Sequence, residues 1–179
     1  MNTVSHTRLR NMVLCALFAA LTAVCSQIAV PMPWGVPINL ALLAVYLAGG
    51  LLGPMRGTVS QAVYLLLAAI GVPVMAGFQG GAAALFGKTG GYVIGYLLAA
   101  LITGLLAEHW GRKLLPLCCA MVLGCFGCYV LGTLWFMVVT GTGLMQSLAW
   151  CVLPYLPGDA IKIVLAAVLV ERVHPLLPH

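Results

Sequence analysis

The sequence predicts an all-α integral membrane protein with six transmembrane helices. Of its 179 residues, 63% are hydrophobic and only 6% are charged, and the mean hydropathy is +1.13. A soluble domain carries about 25% charged residues, so this composition indicates a chain that uses lipid as its solvent. No stretch is long and polar enough to form a separate soluble domain, and we expect residues 1–179 to form a single transmembrane domain. The six spans are predicted, in chain order, at 11–30, 38–52, 57–70, 91–109, 114–140 and 158–172.

Proline and glycine mark the boundaries between the spans. The first span ends at the turn 31–37, the second ends before Pro54, and the third ends before Pro73. A long glycine-rich connection, 72–90, then leads to the fourth span, and its apolar composition predicts a folded lid over an outward pocket. The sixth region is interrupted by prolines. Its uninterrupted part after Pro157 is about 22 Å long at ~1.5 Å per residue, which is short for a ~30 Å bilayer core.

The basic residues orient the predicted bundle with both termini in the cytoplasm. Cytoplasmic loops carry an excess of Lys and Arg. With the N-terminus inside, Lys88 alone lies outside and Lys162 lies within a span. The first span follows two arginines, as a signal peptide would, but its length favours a retained helix. The chain is therefore predicted to be a multi-pass protein of the cell membrane, with these basic residues inside: Arg8, Arg10, Arg56, Arg112, Lys113 and Arg172.

Asp159 and Lys162 are two charges in the otherwise apolar segment 158–172. An ionisable residue inside a membrane segment costs roughly 2.5–3.5 kcal/mol on insertion scales and usually faces a cavity. Positions i and i+3 lie on one helix face, and the preceding proline places the carboxylate at a helix start, where the dipole favours it. We interpret the pair as an acceptor and a cationic donor in a pocket open to the outside. The alternative is a self-neutralising pair that only anchors helices.

The sequence disfavours several other chemistries. The tripeptide 87–89 resembles the end of a phosphate-binding P-loop, but Ala82 occupies the position of its first glycine. Any ATP hydrolysis is therefore assigned to another polypeptide. The histidines lie at span ends or termini, without a nucleophile beside them, and Cys125-x-x-Cys128 lacks a second ligand pair. We expect no enzyme activity, no catalytic residue, no cofactor and no metal site.

Small residues four apart occur on two faces of the first span. They are Ala16 with Ala20 and, one face over, Ala19 with Ala23. Such pairs let another helix approach closely in lipid. From the residues alone, ordinary packing inside the bundle is the simpler interpretation of both pairs.

Three motifs resemble those of the BioY family, the biotin-specific substrate-binding components of energy-coupling factor (ECF) transporters. They occur at 71–81 (GVPVMAGFQGG), 89–95 (TGGYVIG) and 157–162 (PGDAIK), in that order within six predicted spans. The resemblance implies a six-helix bundle that captures biotin from the outside, beneath the loop 72–90. It also implies a transmembrane coupling protein (EcfT-like or BioN-like) and two ABC ATPases as partners. Toppling of the whole bundle within the membrane would then deliver the vitamin.

The resemblance also implies which side chains contact biotin. Asp159 and Lys162 would be polar contacts, with Tyr92 beside them, and Phe78 and Gln79 are further candidates from the loop. Biotin offers N–H donors and a carbonyl at its ureido end and a carboxylate at the other. Asp159 could accept from the ureido group while Lys162 donates to an oxygen, but which end meets each residue stays open.

The resemblance changes the interpretation of the first span and leaves two alternative functions. The family's small-residue face, which docks on the coupling protein, is matched by Ala16 and Ala20. Lys88 stands where the family commonly has proline, and its charge could help to attract an anionic ligand. The alternatives are a substrate-binding component for another vitamin, and a solitary facilitator or channel that works without ATPases.

Overall fold

The computed structural model describes residues 3–176, which form a mostly helical bundle. Two short strands, β1 (Ala29–Val30) and β2 (Ile38–Asn39), pair antiparallel near one end of the bundle. A 3₁₀ turn at His174–Leu176 ends the described chain. The helices are α1 (Thr3–Gln27), α2 (Ala41–Leu52), α3 (Pro54–Ala69), α4 (Ala82–Leu85), α5 (Gly90–Trp110), α6 (Leu114–Thr140), α7 (Leu144–Cys151) and α8 (Leu156–Val173).

Several of these helices are long and apolar enough to cross a bilayer. Within residues 3–176 there are three, at Arg8–Gln27, Gly90–Trp110 and Leu114–Thr140. Helices α7 and α8 pass the same test only when taken together, and they are bent by 53° at the break between them. The mostly helical architecture with several long apolar helices is thus confirmed. The count of six spans and the position of the termini stay predictions.

The first predicted span ends earlier as a helix than expected. Helix α1 stops at Gln27, and the chain then enters β1, in which Ala29 pairs with Asn39 of β2. The turn 31–37 between the strands contains three prolines, which lack the N–H that a helix needs. Residues 28–30 and 38–39 therefore belong to a small hairpin at the end of the bundle rather than to membrane helices.

Glycine permits the close approach of α5 to the corner between α2 and α3. Gly53 turns this corner with a φ of +82°, and Pro54 begins α3 in its first turn. A β-carbon on Gly104 of α5 would lie only 2.5 Å from the Pro54 nitrogen. The three helices therefore pack backbone against backbone, as small residues allow in membrane bundles.

A buried polar seam joins α1 to α3. The Gln61 amide donates to the Thr22 hydroxyl at 3.2 Å, and the Ser26 and Tyr64 hydroxyls lie 3.3 Å apart. All four residues are buried. Side-chain hydrogen bonds of this kind hold helices together where lipid supplies no hydrophobic drive.

Charged side chains collect at one end of the bundle. Arg56 donates to the Asn11 side chain at 3.1 Å, and Arg112 donates to the Gly50 carbonyl at 3.0 Å. The backbone N–H of Leu114 donates to the Glu171 carboxylate at 3.2 Å. These contacts tie together the first half of α1, the starts of α3 and α6, and the ends of α2 and α8. The hairpin of β1 and β2 lies at the opposite end of the bundle.

Candidate ligand-binding site

A cavity of about 340 Å³ lies at the end of the bundle that carries the hairpin. Pockets for small molecules typically have volumes of about 300–1,000 Å³, so this cavity suits a compact ligand. Its walls come from α1, α2, α3, α5, α6 and α8, and the turns 31–37 and 72–81 form its rim. The polar or aromatic residues that line it are Gln27, Asn39, Tyr64, Gln79, Thr89, Tyr92, Tyr96, Tyr129, Tyr155, Asp159 and Lys162.

The structure places the Asp159–Lys162 pair in the wall of this cavity. The Lys162 Nζ donates to Asp159 Oδ1 at 2.6 Å, and the two residues are only 6% and 2% exposed. Asp159 lies in the first turn of α8, where its own N–H donates to the Tyr155 carbonyl at 2.8 Å. The pair therefore faces a cavity inside the bundle and not the outer surface. An ion pair so deeply removed from water needs further hydrogen bonds to satisfy its remaining polar atoms.

Tyr129 supplies one of those hydrogen bonds, and sequence analysis did not identify it. Its hydroxyl donates to Asp159 Oδ2, and the Cys125 thiol lies 3.9 Å from the same oxygen. Both carboxylate oxygens thus have a partner, so the orientation of the carboxylate is set by α6 and α8 together. Tyr129 lies thirty positions from Asp159 in the chain, and nothing in its local sequence distinguishes it from the other aromatic residues of α6.

Tyr92 lines the cavity with its ring while its hydroxyl is engaged elsewhere. The hydroxyl lies 3.3 Å from Thr133 Oγ1 on α6. The ring packs against Gly132, where a β-carbon would lie only 2.2 Å from a ring atom. Tyr92 therefore contributes mainly an aromatic surface, next to that of Tyr96.

The rim turn 31–37 is attached to the break between α7 and α8. The Tyr155 hydroxyl donates to the Val36 carbonyl, and the Trp34 indole N–H donates to the Tyr155 hydroxyl at 3.1 Å. Tyr155 is buried. These hydrogen bonds close one side of the cavity. The turn 31–37, which the sequence predicted only as a boundary between two spans, therefore forms part of the site.

The loop that follows α3 is held over the cavity by the end of α1. Gln27 bonds it twice, because its amide donates to the Met75 carbonyl at 3.0 Å and its side-chain oxygen accepts from the Phe78 N–H at 3.0 Å. The Ser26 hydroxyl donates to the Val74 carbonyl at 2.6 Å. Met75 and Gln79 exchange backbone hydrogen bonds of 2.9 and 3.3 Å, which makes the segment a tight hairpin with Gln79 in the cavity lining.

Phe78 does not line the cavity in this structure, in contrast to the expectation from sequence. Its side chain is 73% exposed. It follows Gly77 at the tip of the hairpin, and both residues have positive φ, +57° at Phe78 and +70° at Gly77. That left-handed backbone is uncommon outside glycine, and here it turns the phenyl ring away from the cavity.

The two small-residue faces of α1 differ in burial. Ala19 is 1% exposed and belongs to the core, and Ala23 packs against that core. Ala16 and Ala20 lie on the exposed side of the helix. The inward pair is therefore ordinary bundle packing, while the outward pair is an exposed face of small residues.

Comparisons with known proteins agree with one another, and each covers 89% or more of this chain. The family model described as the BioY family matches residues 1–179. The protein named "Biotin transporter BioY" of Rhodobacter capsulatus is 38% identical over 176 residues, which covers 92% of this chain and 93% of that protein. The "Probable biotin transporter BioY" of Pyrococcus horikoshii is 38% identical over 159 residues, covering 89% and 93%. The crystal structure of an S-component for biotin from an ECF-type ABC transporter superposes with a TM-score of 0.87 at 30% identity, covering 95% of this chain and 93% of that one.

Proposed function

This chain belongs to the BioY family, and from that premise we propose that it is the biotin-binding membrane subunit of an ECF-type transporter. The observation that carries the proposal is the cavity that ends on Asp159, Lys162 and Tyr129. Its remaining wall is largely apolar and aromatic. Biotin likewise has an apolar ring and chain with a compact polar ureido head, so the two distributions match. The family is one of transporter components, and no catalytic step, cofactor or metal is part of the proposal.

In the proposed complex, the ureido group meets the charged pair. Asp159 accepts a hydrogen bond from a ureido N–H, and Lys162 donates to the ureido carbonyl. An ammonium has three donors, so Lys162 can keep its bond to Asp159 while it donates to the ligand. Hydrogen bonds to charged groups contribute about 1.5–3 kcal/mol each. Tyr92 and Gln79 line the same cavity and complete the contacts, whereas Phe78 would contribute only after the tip of the loop 72–81 rearranged.

We further propose that the bundle crosses the membrane six times with both termini in the cytoplasm. Helix α2 has 12 residues and α3 has 16, about 18 and 24 Å at ~1.5 Å per residue, so these two spans need the adjoining turns to reach both surfaces. The location of Arg56 and Arg112 at the end opposite to the cavity supports this orientation, because basic residues favour the cytoplasmic side. The cavity then opens to the outside of the cell membrane.

The proposed partners are a transmembrane coupling protein and two ABC ATPases. The exposed Ala16 and Ala20 give α1 a face on which a second helix can approach closely, and we assign this face to the coupling protein. The ATPases would supply the energy, and toppling of the whole bundle would carry the loaded cavity across the membrane.

Equilibrium binding of biotin to the purified protein in detergent tests the function, with thiamine and riboflavin as competitors. We expect tight binding that neither competitor displaces. Displacement by one of them would favour a substrate-binding component for that vitamin. Absence of biotin binding by folded protein would refute the proposal. Reconstitution alone in liposomes separates the remaining alternative, because a facilitator would equilibrate biotin across the membrane and a binding subunit would chiefly retain it.

A further inference from the structure

We propose that Lys88 is the counter-charge for the carboxylate of the bound ligand, and that it stands at the mouth of the cavity. This inference rests on the proposed function and adds to it the direction in which the ligand lies. The ureido end points down to Asp159 and Lys162, and the carboxylate end points up to Lys88.

Every acidic side chain of the protein has a partner other than Lys88. The sequence contains only three, and each has a partner elsewhere. Asp159 pairs with Lys162 at 2.6 Å, Glu108 lies 4.0 Å from Arg112, and Glu171 accepts the N–H at the start of α6. Among residues 3–176, Lys88 therefore forms no ion pair with an acidic side chain.

The Lys88 side chain lies against the rim turn 31–37. Its Cδ and Nζ atoms are 3.1 and 3.5 Å from the position that a β-carbon would take on Gly35. Gly35 belongs to the rim turn 31–37 and lines the cavity, as does Thr89, the residue that follows Lys88. The side chain thus extends from the segment just before α5 to the rim turn 31–37.

The rim is held in place beside Lys88. The Trp135 indole N–H on α6 donates to the Gly87 carbonyl at 3.0 Å, and the Phe86 ring lies 6.3 Å from the Trp135 ring, centroid to centroid. A β-carbon on Gly91 would lie 2.2 Å from Trp135, so α5 begins directly against that side chain. The lysine is therefore presented from a fixed backbone, even though its own side chain is exposed.

The charges of the site favour a monoanionic ligand whose carboxylate lies at the rim beside Lys88. At the bottom, Asp159 and Lys162 neutralise each other, so that end suits a neutral polar head. At the rim, Lys88 adds one positive charge that no acidic side chain of residues 3–176 compensates. An anionic carboxylate at the rim would restore neutrality, whereas a carboxylate at the bottom would meet the Asp159 carboxylate and would leave the Lys88 charge uncompensated.

Association kinetics of two ligands test the inference. Biotin carries the carboxylate, and biotinamide has the same shape without the charge. The variants are Lys88→Gln, Lys88→Arg, and Lys113→Gln as a matched control that removes the same charge from the end of the bundle opposite to the cavity. Because exposed ion pairs contribute about 0.2–1 kcal/mol, Lys88→Gln should weaken biotin binding by about 1.4- to fivefold, mainly through a slower association rate at low salt.

The comparison of biotin with biotinamide decides whether Lys88 contacts the ligand carboxylate. We expect the effect of Lys88→Gln to vanish for biotinamide, to shrink at high salt, and to be absent in Lys88→Arg and Lys113→Gln. Equal losses for biotin and biotinamide, or no loss for either, would overturn the role of Lys88 while the wild-type binding of biotin upholds the proposed function. A folded wild-type protein that binds neither ligand would refute the proposed function, and this inference with it.

Discussion

Replacing Lys162 with methionine would leave the Asp159 carboxylate buried without its cationic partner. The carboxylate is 2% exposed, and it would keep only the Tyr129 hydroxyl and the weak contact with the Cys125 thiol. Breaking a buried ion pair by removing one partner costs about 3–5 kcal/mol, because the other charge stays uncompensated. We therefore expect the free energy of unfolding of Lys162→Met to fall by about that amount.

The double variant Asp159→Asn/Lys162→Met separates stability from binding. Replacing both members of a buried pair by uncharged groups of similar volume is often neutral for stability, with a change near zero rather than the ~3–5 kcal/mol of a broken pair, and the new amide can still accept from Tyr129. Stability should therefore return close to that of the wild type. Biotin affinity should not return, because the hydrogen bond from Lys162 is lost and the acceptor at position 159 is no longer charged. At about 1.5–3 kcal/mol for the lost bond alone, and about 1.4 kcal/mol per tenfold change in Kd, the loss is at least about tenfold.

Two assays on the same preparations check this reasoning. Unfolding by titration with sodium dodecyl sulfate in mixed micelles gives the stability, and equilibrium binding of biotin gives the affinity. A double variant that is stable and binds biotin like the wild type would show that Asp159 and Lys162 only anchor helices. Wild-type stability of Lys162→Met alone would contradict the assignment of an uncompensated buried charge.

Three further predictions concern the loop, the outer face of α1 and the packing behind the cavity. Gln27→Ala removes both bonds to the lid, about 1–3 kcal/mol in total, so the dissociation rate of biotin should rise by about tenfold in stopped-flow measurements. Ala20→Leu should keep biotin binding but reduce uptake at least ~tenfold in cells with the coupling protein and ATPases, since the bulky side chain prevents close helix approach. Ala19→Leu, the buried control, should instead lose about 1–3 kcal/mol of stability by overpacking. Gly132→Ala should displace the Tyr92 ring and weaken biotin binding; unchanged affinity in direct titration would count against a contribution of that ring to the binding wall.

The sequence predicted those parts of the site that lie close together in the chain. Asp159 and Lys162 are three positions apart, and helical geometry alone brings such residues to one face. Their burial followed from the cost of charge in an apolar segment. Tyr129 could not be predicted in this way, because it reaches Asp159 only through the packing of α6 against α8. A tyrosine in an apolar helix carries no sign of which buried acceptor it will meet.

The hairpin at the end of α1 shows a second limit of prediction. Prolines in 31–37 correctly indicated a break between helices, but they did not indicate that Ala29 pairs with Asn39 or that the turn forms part of the cavity wall. Strand pairing of two residues has no periodic signal. Similarly, the loop motif pointed to Phe78 and Gln79 together, yet of these two only Gln79 lines the cavity. The positive φ at Phe78 is a local backbone feature that the motif does not reveal.

A structure of the protein with biotin bound tests the central claim most directly. We expect biotin inside the cavity of about 340 Å³, with ureido atoms within hydrogen-bonding distance of Asp159 and Lys162 and with the Tyr129–Asp159 hydrogen bond intact. Biotin bound elsewhere, such as in the apolar groove between α6 and α7 that Leu134 and Leu148 line, would contradict it. So would biotin in the cavity without contact to either member of the charged pair.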